Sequence, residues 1–365
     1  MFKKSLKLFT VVAAMSLSLM ACGSKDSSTS SNKKGSAELV LVTAMNSIDD
    51  KSFNQGSWEG LKQYGDENNQ DYKYYVSPDS SSTSVESTLE LAISGGAKVI
   101  ICPGYLFEVP LYNMQEKYPD VKFILLDGTP NDGNGNEKIG ENVACYTYAE
   151  EQAGFLAGYA AVIDGNRNLG FMGGIATPAV IRFGYGYVQG AEYAAKELNL
   201  NKGDVSINYN YVGNFEANPE NQAKAAAWYN NGSDVIFGCG GNVGNSVMSA
   251  AEAADKKVIG VDIDQSSESK TVITSAMKNL TKTVYDALNE YKEGTLKTGV
   301  ANRLDVTTNS VLLPMETSVF ETFDQNKYNE IYNELVAGKI ELKNNSDASA
   351  VTELPLELVT VSEIK

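Results

Sequence analysis

The chain of 365 residues is 42% hydrophobic and 21% charged, which is enough to bury a sizeable core and to form two lobes of ordinary size. Its 46 acidic and 30 basic residues give a net charge of -16, which argues against a nucleic-acid partner because such a partner requires a positive field. The sequence contains no histidine, so Ser-His-Asp triads, Cys-His dyads and His-ligated zinc are excluded.

Residues 1–22 have the organisation of an export signal. Three lysines within the first seven residues precede an apolar segment from Leu8 to Met20, which is too short to span a bilayer. The segment ends in Leu-Met-Ala-Cys, which resembles the lipobox of bacterial lipoproteins and implies cleavage before Cys22 and attachment of lipid to its thiol. The alternative is an ordinary secretory signal with a coincidental cysteine.

Residues 23–37 are predicted to form a flexible tether, because they are rich in serine and lysine and contain no large apolar side chain. No other run of about twenty apolar residues occurs, so we expect a body that does not cross the bilayer. A lipid on Cys22 would hold that body at the extracytoplasmic face of the cell membrane.

The three remaining cysteines, Cys102, Cys145 and Cys239, each lie in an apolar, strand-like run. An odd number of cysteines in an exported protein argues against a complete disulfide framework. We therefore predict that they are small buried thiols.

The body of the chain alternates predicted strands with predicted helices. Several of the strands are near-continuous apolar runs, as expected for parallel strands that are covered on both faces. The predicted strands are 39–43, 72–76, 98–102, 121–126, 168–172, 205–212, 234–238, 257–261 and 271–275. The predicted helices are 53–68, 83–95, 108–118, 178–198, 218–230, 243–254, 280–293 and 324–338.

This alternation predicts an α/β fold with parallel sheets, and nine strands are too many for one small sheet. We therefore predict two doubly wound lobes, joined at a helix within 147–165 that carries an apolar stripe. The first lobe is predicted to comprise 38–146, a return segment at about 281–300 and a share of 301–365. The second lobe is predicted to comprise 147–280.

Ligands of open α/β sheets bind beyond the carboxyl ends of the strands, so the residues that follow each strand are the candidates for a site. Ser52 to Gln55 has the pattern of a capping box, with serine at the N-cap and glutamine three residues on, and this would leave Phe53 beside the cleft or in the core. Asp127 and Asp262 each follow an apolar strand, where a carboxylate could bind a ligand or form a turn.

Two further patterns are weaker. Gly240, Gly241 and Gly244 follow a strand and would let a ligand approach the backbone, but they fit neither a P-loop nor a dinucleotide motif. The acidic pairs Asp49-Asp50 and Asp262-Asp264 could hold a metal or act as acid and base. The first pair is more simply explained as a capping loop.

Five motifs in the same order are similar to those of the basic membrane protein family, the purine nucleoside receptor A-like substrate-binding lipoproteins of ABC importers. The similarity covers about 39–320. The motifs are DDKSFNQGSWEGL (49–61), RFGYGYVQGA (182–191), YVGNF (211–215), VIGVDIDQ (258–265) and TSAMK (274–278).

This resemblance implies a type I periplasmic-binding-protein fold, with two doubly wound lobes joined by a hinge and a nucleoside held between them. Phe53 and Phe215 would sandwich the base, and Asp127 would bond a polar edge of the base. Asp262 would bind the ribose hydroxyls, together with Lys278, which could also pair with Asp262. The resemblance also implies ligand contacts from the backbone of Gly241 and from Asn54.

One position departs from the family pattern, which has an aspartate at the end of the first strand. This chain has Ala44 there, and alanine cannot accept a hydrogen bond through its side chain. Asn46 could substitute for the aspartate, or the ligand could differ.

The resemblance implies a receptor that delivers a nucleoside to an ABC permease and its ATPase, without catalytic residues, metal or cofactor. A ligand sensor of the same fold, and an importer receptor for another small polar ligand such as a sugar, are the alternatives. An extracellular nucleoside hydrolase and a surface adhesin are the remaining classes, and no repeat or aromatic patch points to the last.

Overall fold

The computed structural model describes residues 37–364. The predicted signal peptide (1–22), the lipid attachment site Cys22 and all but the last residue of the predicted tether lie outside the described residues. None of the described helices is both long enough and apolar enough to cross a bilayer.

The strands within the described range are short and mostly buried. They are β1 (Leu39–Thr43), β2 (Tyr72–Val76), β3 (Val99–Pro103), β4 (Lys122–Leu126), β5 (Val143–Tyr148), β6 (Asn168–Gly173), β7 (Ser206–Tyr211), β8 (Val235–Cys239), β9 (Lys257–Asp262), β10 (Val272–Lys278), β11 (Ala301–Leu304), β12 (Val311–Leu312) and β13 (Thr360–Glu363).

The α-helices of the same range alternate with these strands. They are α1 (Phe53–Asn68), α2 (Ser82–Ser94), α3 (Glu108–Lys117), α4 (Glu150–Ile163), α5 (Pro178–Glu197), α6 (Pro219–Asn230), α7 (Val243–Ala254), α8 (Leu280–Glu293) and α9 (Gln325–Val336).

The strands form two sheets, as the sequence predicts. One has six strands in the order β11-β5-β4-β3-β1-β2, and the other has seven in the order β12-β10-β9-β8-β6-β7-β13. All strand pairs are parallel except that of β10 with β12. The apolar runs β1, β3 and β8 are buried at every position, as expected for parallel strands between helices.

The chain passes between the sheets at three places. It leaves the first sheet after β5 for α4, returns from β10 to α8, which packs on α1, and crosses again after β11. The late strands β12 and β13 then join the second sheet. We propose that the chain forms two lobes, each built on one of these sheets.

Helices α4 and α5 pack at very short distance. A Cβ at Gly158 of α4 would lie 2.0 Å from the carbonyl oxygen of Tyr187, and one at Gly190 of α5 would lie 2.0 Å from that of Phe155. Only glycine permits this approach. As a result α4 is buried almost all round, whereas its sequence predicts a helix with one apolar stripe.

The segments before and after α9 are anchored by two buried carboxylates. Glu192 of α5 accepts hydrogen bonds of 2.9 to 3.3 Å from the backbone N–H groups of 357–359. Asp164 accepts bonds of 2.6 to 3.3 Å from those of 321–323. These side chains hold a tail that has little regular structure of its own.

Candidate functional site

A cavity of about 390 Å³ lies between the two sheets, at the carboxyl ends of their strands. The first sheet contributes Ala44 after β1 and Asp127 after β4. The second contributes Cys239, Asp262 and Lys278, which end β8, β9 and β10. Both its position and its volume are typical of small-molecule sites in α/β proteins.

The structure brings all seven residues that the sequence singled out as ligand contacts into the lining of this one cavity. They come from both sheets, although up to 225 positions separate them along the chain. They are Phe53, Asn54, Asp127, Phe215, Gly241, Asp262 and Lys278.

Lys278 is the charged centre of the cavity, with a side chain that is only 3% exposed. Its ammonium group hydrogen-bonds the carboxylate of Asp127 and lies 3.5 Å from Oδ1 of Asp262 and 3.6 Å from Oε1 of Glu150. Burial alone would lower the pKa of Lys278, but these three carboxylates outweigh it and raise the pKa above its ordinary value. The pairing with Asp262 is present, and the bond to Asp127 is the shorter one.

Asp127 follows β4 with a backbone φ of 57°, in the left-handed region that aspartate tolerates better than most residues. Its Oδ2 accepts the bond from Lys278, whereas its Oδ1 is buried and has no hydrogen-bond partner in the described part of the chain. Burial raises the pKa of Asp127 above its usual value, although Lys278 opposes the shift. An unpartnered carboxylate oxygen beside a cavity is suited to accept a hydrogen bond from a ligand.

Asp262 ends β9 with a φ of 68°, again in the left-handed region. Its Oδ2 accepts a 2.5 Å hydrogen bond from the hydroxyl of Ser52, and its Oδ1 faces Lys278. Asp262 lines the cavity in this backbone conformation. Such strain is commonly concentrated at functional sites.

The capping box predicted at Ser52 is wrong. The Ser52 side chain makes no cap bond, because its hydroxyl donates to Asp262 instead. Asp50 caps α1, accepting 3.0 Å bonds from the backbone N–H groups of Ser52, Asn54 and Gln55. Burial raises the pKa of Asp50 to about 6, against the effect of these bonds. The alternative that Asp49-Asp50 is a capping loop is therefore correct for Asp50.

The loop before α1 is also tied to the second sheet. The side-chain amide of Gln265 donates a 2.6 Å bond to the carbonyl oxygen of Lys51, and the Lys51 ammonium lies 3.6 Å from Glu268. Gln265 is fully buried, and its Oε1 accepts from the N–H of Val261 in β9. Together with the Ser52–Asp262 bond, these contacts fix the start of α1 against the end of β9.

The two aromatic side chains lie in different surroundings. The Phe53 ring, at the first position of α1, has the Lys278 ammonium 4.5 Å from its centroid. The Phe215 ring, in the loop after β7, packs where Gly174 and Gly240 have no side chains. A Cβ at Gly174 would lie 2.4 Å from the Phe215 ring, so glycine there makes room for the aromatic group.

The segment after β1 forms an uncharged part of the cavity wall. Ala44 is buried and lines the cavity with Met45 and Asn46. The Asn46 amide nitrogen lies 3.7 Å from the position of a Cβ on Gly241, so the two sheets' loops nearly meet there. Asn54 donates to the carbonyl oxygens of Met45 and Ser47, and thereby holds this segment in shape.

The sequence reasoning missed several residues of the cavity wall. Arg182 of α5 lines the cavity and donates a 2.5 Å bond to Oε2 of the fully buried Glu150. Thr147, Tyr105 and Glu108 also line it. Arg182 opens the motif RFGYGYVQGA, which follows the predicted strand 168–172, but neither the motif nor its position gave this arginine a role.

The remaining chemical candidates are the possible metal ligands, Asp264 and the cysteines. Within 37–364, no cluster of three or more Cys, Asp or Glu side chains could hold a metal. Asp264 bonds Thr317 and the N–H of Ser266, away from the pairing of Asp262 with Lys278. The cysteines Cys102, Cys145 and Cys239 are buried free thiols, as predicted, and Cys239 lines the cavity.

Residues 37–346 match the profile of the Bmp family, described as ABC transporter substrate-binding protein PnrA-like. The chain is 30% identical to the ABC transporter nucleoside-binding protein BmpA of Lactococcus lactis, over 88% of this chain and 94% of that protein. It is also 31% identical to basic membrane protein A of Borreliella burgdorferi, over 80% of each chain.

Solved structures agree on the fold. A solute-binding protein of an ABC transporter system from Aeropyrum pernix aligns with a TM-score of 0.73 at 20% identity, covering 87% of this chain and 95% of that one. A second, from Conexibacter woesei, aligns with a TM-score of 0.66 at 21% identity, covering 84% and 99%. The fold is therefore that of the type I periplasmic solute-binding proteins, as predicted.

Proposed function

Because the chain belongs to the Bmp family of PnrA-like ABC transporter substrate-binding proteins, we propose that it captures a purine nucleoside in the cavity between its sheets. The observation that carries this proposal is the meeting, in one cavity, of two aromatic rings with Asp127, Asp262 and Lys278. The relative from L. lactis that is named for nucleoside binding supports the same class of ligand.

The base stacks between Phe53 and Phe215, which reach the cavity from opposite sheets. Stacking on an aromatic face contributes about 1–3 kcal/mol per base and accepts any base. Discrimination between ligands therefore falls to the polar groups around the rings. A buried polar group that a wrong ligand leaves unpaired costs about 1–3 kcal/mol.

Those polar groups divide between the base and the sugar. Asp127 accepts from the base through its unpartnered Oδ1, and Asp262 with Lys278 binds the ribose hydroxyls. The backbone of Gly241, which has a φ of 49°, is free to contact the ligand. It lies in the loop that approaches Asn46. Asn54 acts indirectly, by holding the Met45–Ser47 segment in place, because its side-chain amide already donates to that segment.

Ligand capture in this architecture is a closing of the two sheets' lobes on the nucleoside. The closed receptor then delivers it to an ABC permease and a separate ATPase, held near them at the extracytoplasmic face by lipid on Cys22. The chain acts as a receptor without catalytic activity, which its membership of a family of substrate-binding proteins supports.

A thermal unfolding panel tests the proposal. Residues 23–365 retain every described residue, and would be heated with purine and pyrimidine nucleosides, free bases, ribose and common sugars. A ligand at about 100-fold its Kd stabilises the native state by about 2.7 kcal/mol, which is a readable shift of Tm. We expect shifts with purine nucleosides and none with ribose or bases alone. A shift only with sugars would replace the nucleoside by a sugar, and Ala44 would then mark the altered specificity.

A further inference from the structure

We infer that Arg182 is a specificity-determining residue of this cavity, which donates to a carbonyl oxygen of the base and so favours 6-oxopurine over 6-aminopurine nucleosides. The inference rests on the proposed nucleoside function and names the side chain that discriminates between purines by their substituent at C6. It starts from a charged side chain that the proposed binding mode leaves without a role.

Arg182 is held rigidly at the cavity wall with donors to spare. Its side chain is 12% exposed, its Nε donates to Glu150, and its Nη1 donates a 3.2 Å bond to Oδ1 of Asn345. A guanidinium group carries five N–H donors in a fixed plane. Within the described range, Nη2 has no protein acceptor, although Arg182 lines the cavity. This donor is therefore available to bond an oxygen atom of a ligand.

Glu150 links Arg182 to the pair formed by Lys278 and Asp127. One oxygen of Glu150 accepts from Arg182, and the other lies 3.6 Å from Lys278, which in turn bonds Asp127. The positive charge of Arg182 lowers the pKa of Asp127, against the larger effect of burial, and Asp127 in turn raises the pKa of Arg182. Within the described residues, the cavity wall therefore carries both an unpartnered acceptor, Oδ1 of Asp127, and an unpartnered donor of Arg182.

The complementary edge on a ligand is an N–H beside a carbonyl oxygen, as at N1 and C6 of hypoxanthine and guanine. A charged guanidinium bonds a carbonyl oxygen strongly, and the commonest specific contact of arginine with a base is to O6 and N7 of guanine. The amino group at C6 of adenine would instead turn its hydrogens toward the guanidinium. This wall therefore fits the oxo form of the purine.

The charge of the cavity restricts the ligand further, to uncharged molecules. Five carboxylates line the cavity, whereas its described lining contains two cations, Arg182 and Lys278. The carboxylates are those of Asp50, Glu108, Asp127, Glu137 and Asp262. A phosphate would meet this negative field, so the acceptor that Arg182 binds belongs to a neutral group.

The test measures Kd for three nucleosides that differ only at N1 and C6: inosine, with an N1–H and a carbonyl; adenosine, with a bare N1 and an amino group; and purine riboside, with a bare N1 and a hydrogen at C6. Calorimetry would use the full-length chain in detergent, as wild type, Arg182→Lys, Arg182→Gln and the control Arg303→Gln. Arg303 forms a matched ion pair with Glu151, the neighbour of Glu150, and lies outside the cavity lining. The lysine variant keeps a positive charge beside Glu150 and so guards against a simple folding defect.

We expect wild type to bind inosine about tenfold or more tightly than purine riboside or adenosine. Both Arg182 variants should lose most of this preference, and Arg303→Gln should keep it. Because the preference is a ratio within each variant, a uniform loss of folded protein leaves it unchanged. Nucleoside binding with the same preference in the Arg182 variants, or a wild-type preference for adenosine, would overturn the role of Arg182 alone. Absence of nucleoside binding to wild type would overturn the proposed function as well.

Discussion

The hydroxyl of Ser52 donates a 2.5 Å hydrogen bond to Oδ2 of Asp262, which lies 210 positions further along the chain. The bond joins the start of α1, on the first sheet, to the end of β9, on the second. Phe53 follows Ser52 directly, so the bond sets an aromatic wall of the cavity against one of its carboxylates. In a receptor that closes on its ligand, it stabilises the closed arrangement.

Removing this bond is therefore expected to weaken ligand capture without removing a group that touches the ligand's base. Ser52→Ala should raise Kd for the nucleoside about tenfold, the usual scale for a hydrogen bond to a charged group. Ser57→Ala is the matched control, because its hydroxyl bonds the Phe53 carbonyl within α1. Calorimetry gives Kd, and small-angle scattering gives the compactness of the unliganded chain. Equal affinities in the two variants would contradict the role assigned to Ser52.

The buried cap of α1 predicts a particular pH dependence of stability. Burial raises the pKa of Asp50 to about 6 in the folded protein, above its ordinary value of 3.8. Between these values the folded state binds more protons than the unfolded state, so the contribution of Asp50 to stability falls as pH rises from about 4 to 7.

Two units of pKa correspond to about 3 kcal/mol. The free energy of unfolding of wild type should therefore fall, relative to that of Asp50→Asn, by up to about that amount between pH 4 and pH 7. Urea titrations at four or five pH values measure it. A wild type that gains stability relative to Asp50→Asn over this range would refute the assignment.

The charge cluster predicts a strongly destabilising variant that acid rescues in part. Lys278→Met leaves the carboxylates of Asp127, Asp262 and Glu150 without their shared cation, and should cost about 3–5 kcal/mol of stability at pH 8. Because burial already raises the pKa of Asp127, this carboxylate can take up a proton once Lys278 is removed, and the deficit should shrink at pH 5. Chemical denaturation at both pH values checks this, and a deficit that is independent of pH would count against the cluster.

The anchoring of the C-terminal segment by Glu192 predicts a local effect on stability. Glu192→Gln weakens the bonds to the N–H groups of 357–359 and should lower the free energy of unfolding by about 1–3 kcal/mol. Amide hydrogen exchange should accelerate in β13 and its neighbours before the rest of the second sheet. Glu357→Gln is the control, since that exposed side chain only pairs with Lys196. Uniform acceleration throughout the chain would show that Glu192 is no local anchor.

Much of the fold was predictable because parallel strands and their helices leave strong local signals. The apolar run 39–43 and the helix 53–68 coincide with β1 and α1 in every residue. The strands β11 to β13 were not predicted, because they are short, partly exposed and formed by pairing with distant strands. Their existence depends on partners that the local sequence does not reveal. The buried strand β5 was also missing from the predicted strands, although the run around Cys145 was recognised as strand-like.

The candidate site shows the same division. Asp127 and Asp262 were found because they follow apolar strands, a position that local sequence identifies. The capping role of Ser52 was predicted wrongly, because local spacing does not show that Asp262 competes for its hydroxyl. Arg182 was missed for a related reason: its place in the cavity follows from the packing of α5 on α4, which brings it to Glu150.

The most direct test of the account is the affinity for inosine of wild type, Phe53→Ala and Phe215→Ala, measured by calorimetry. Phe320→Ala is the control, since that half-buried ring packs on Phe323 away from the cavity lining. We predict that each cavity variant loses about 1–3 kcal/mol of binding free energy and that Phe320→Ala loses none. Wild type that binds no nucleoside, or cavity variants that bind as tightly as wild type, would contradict the account.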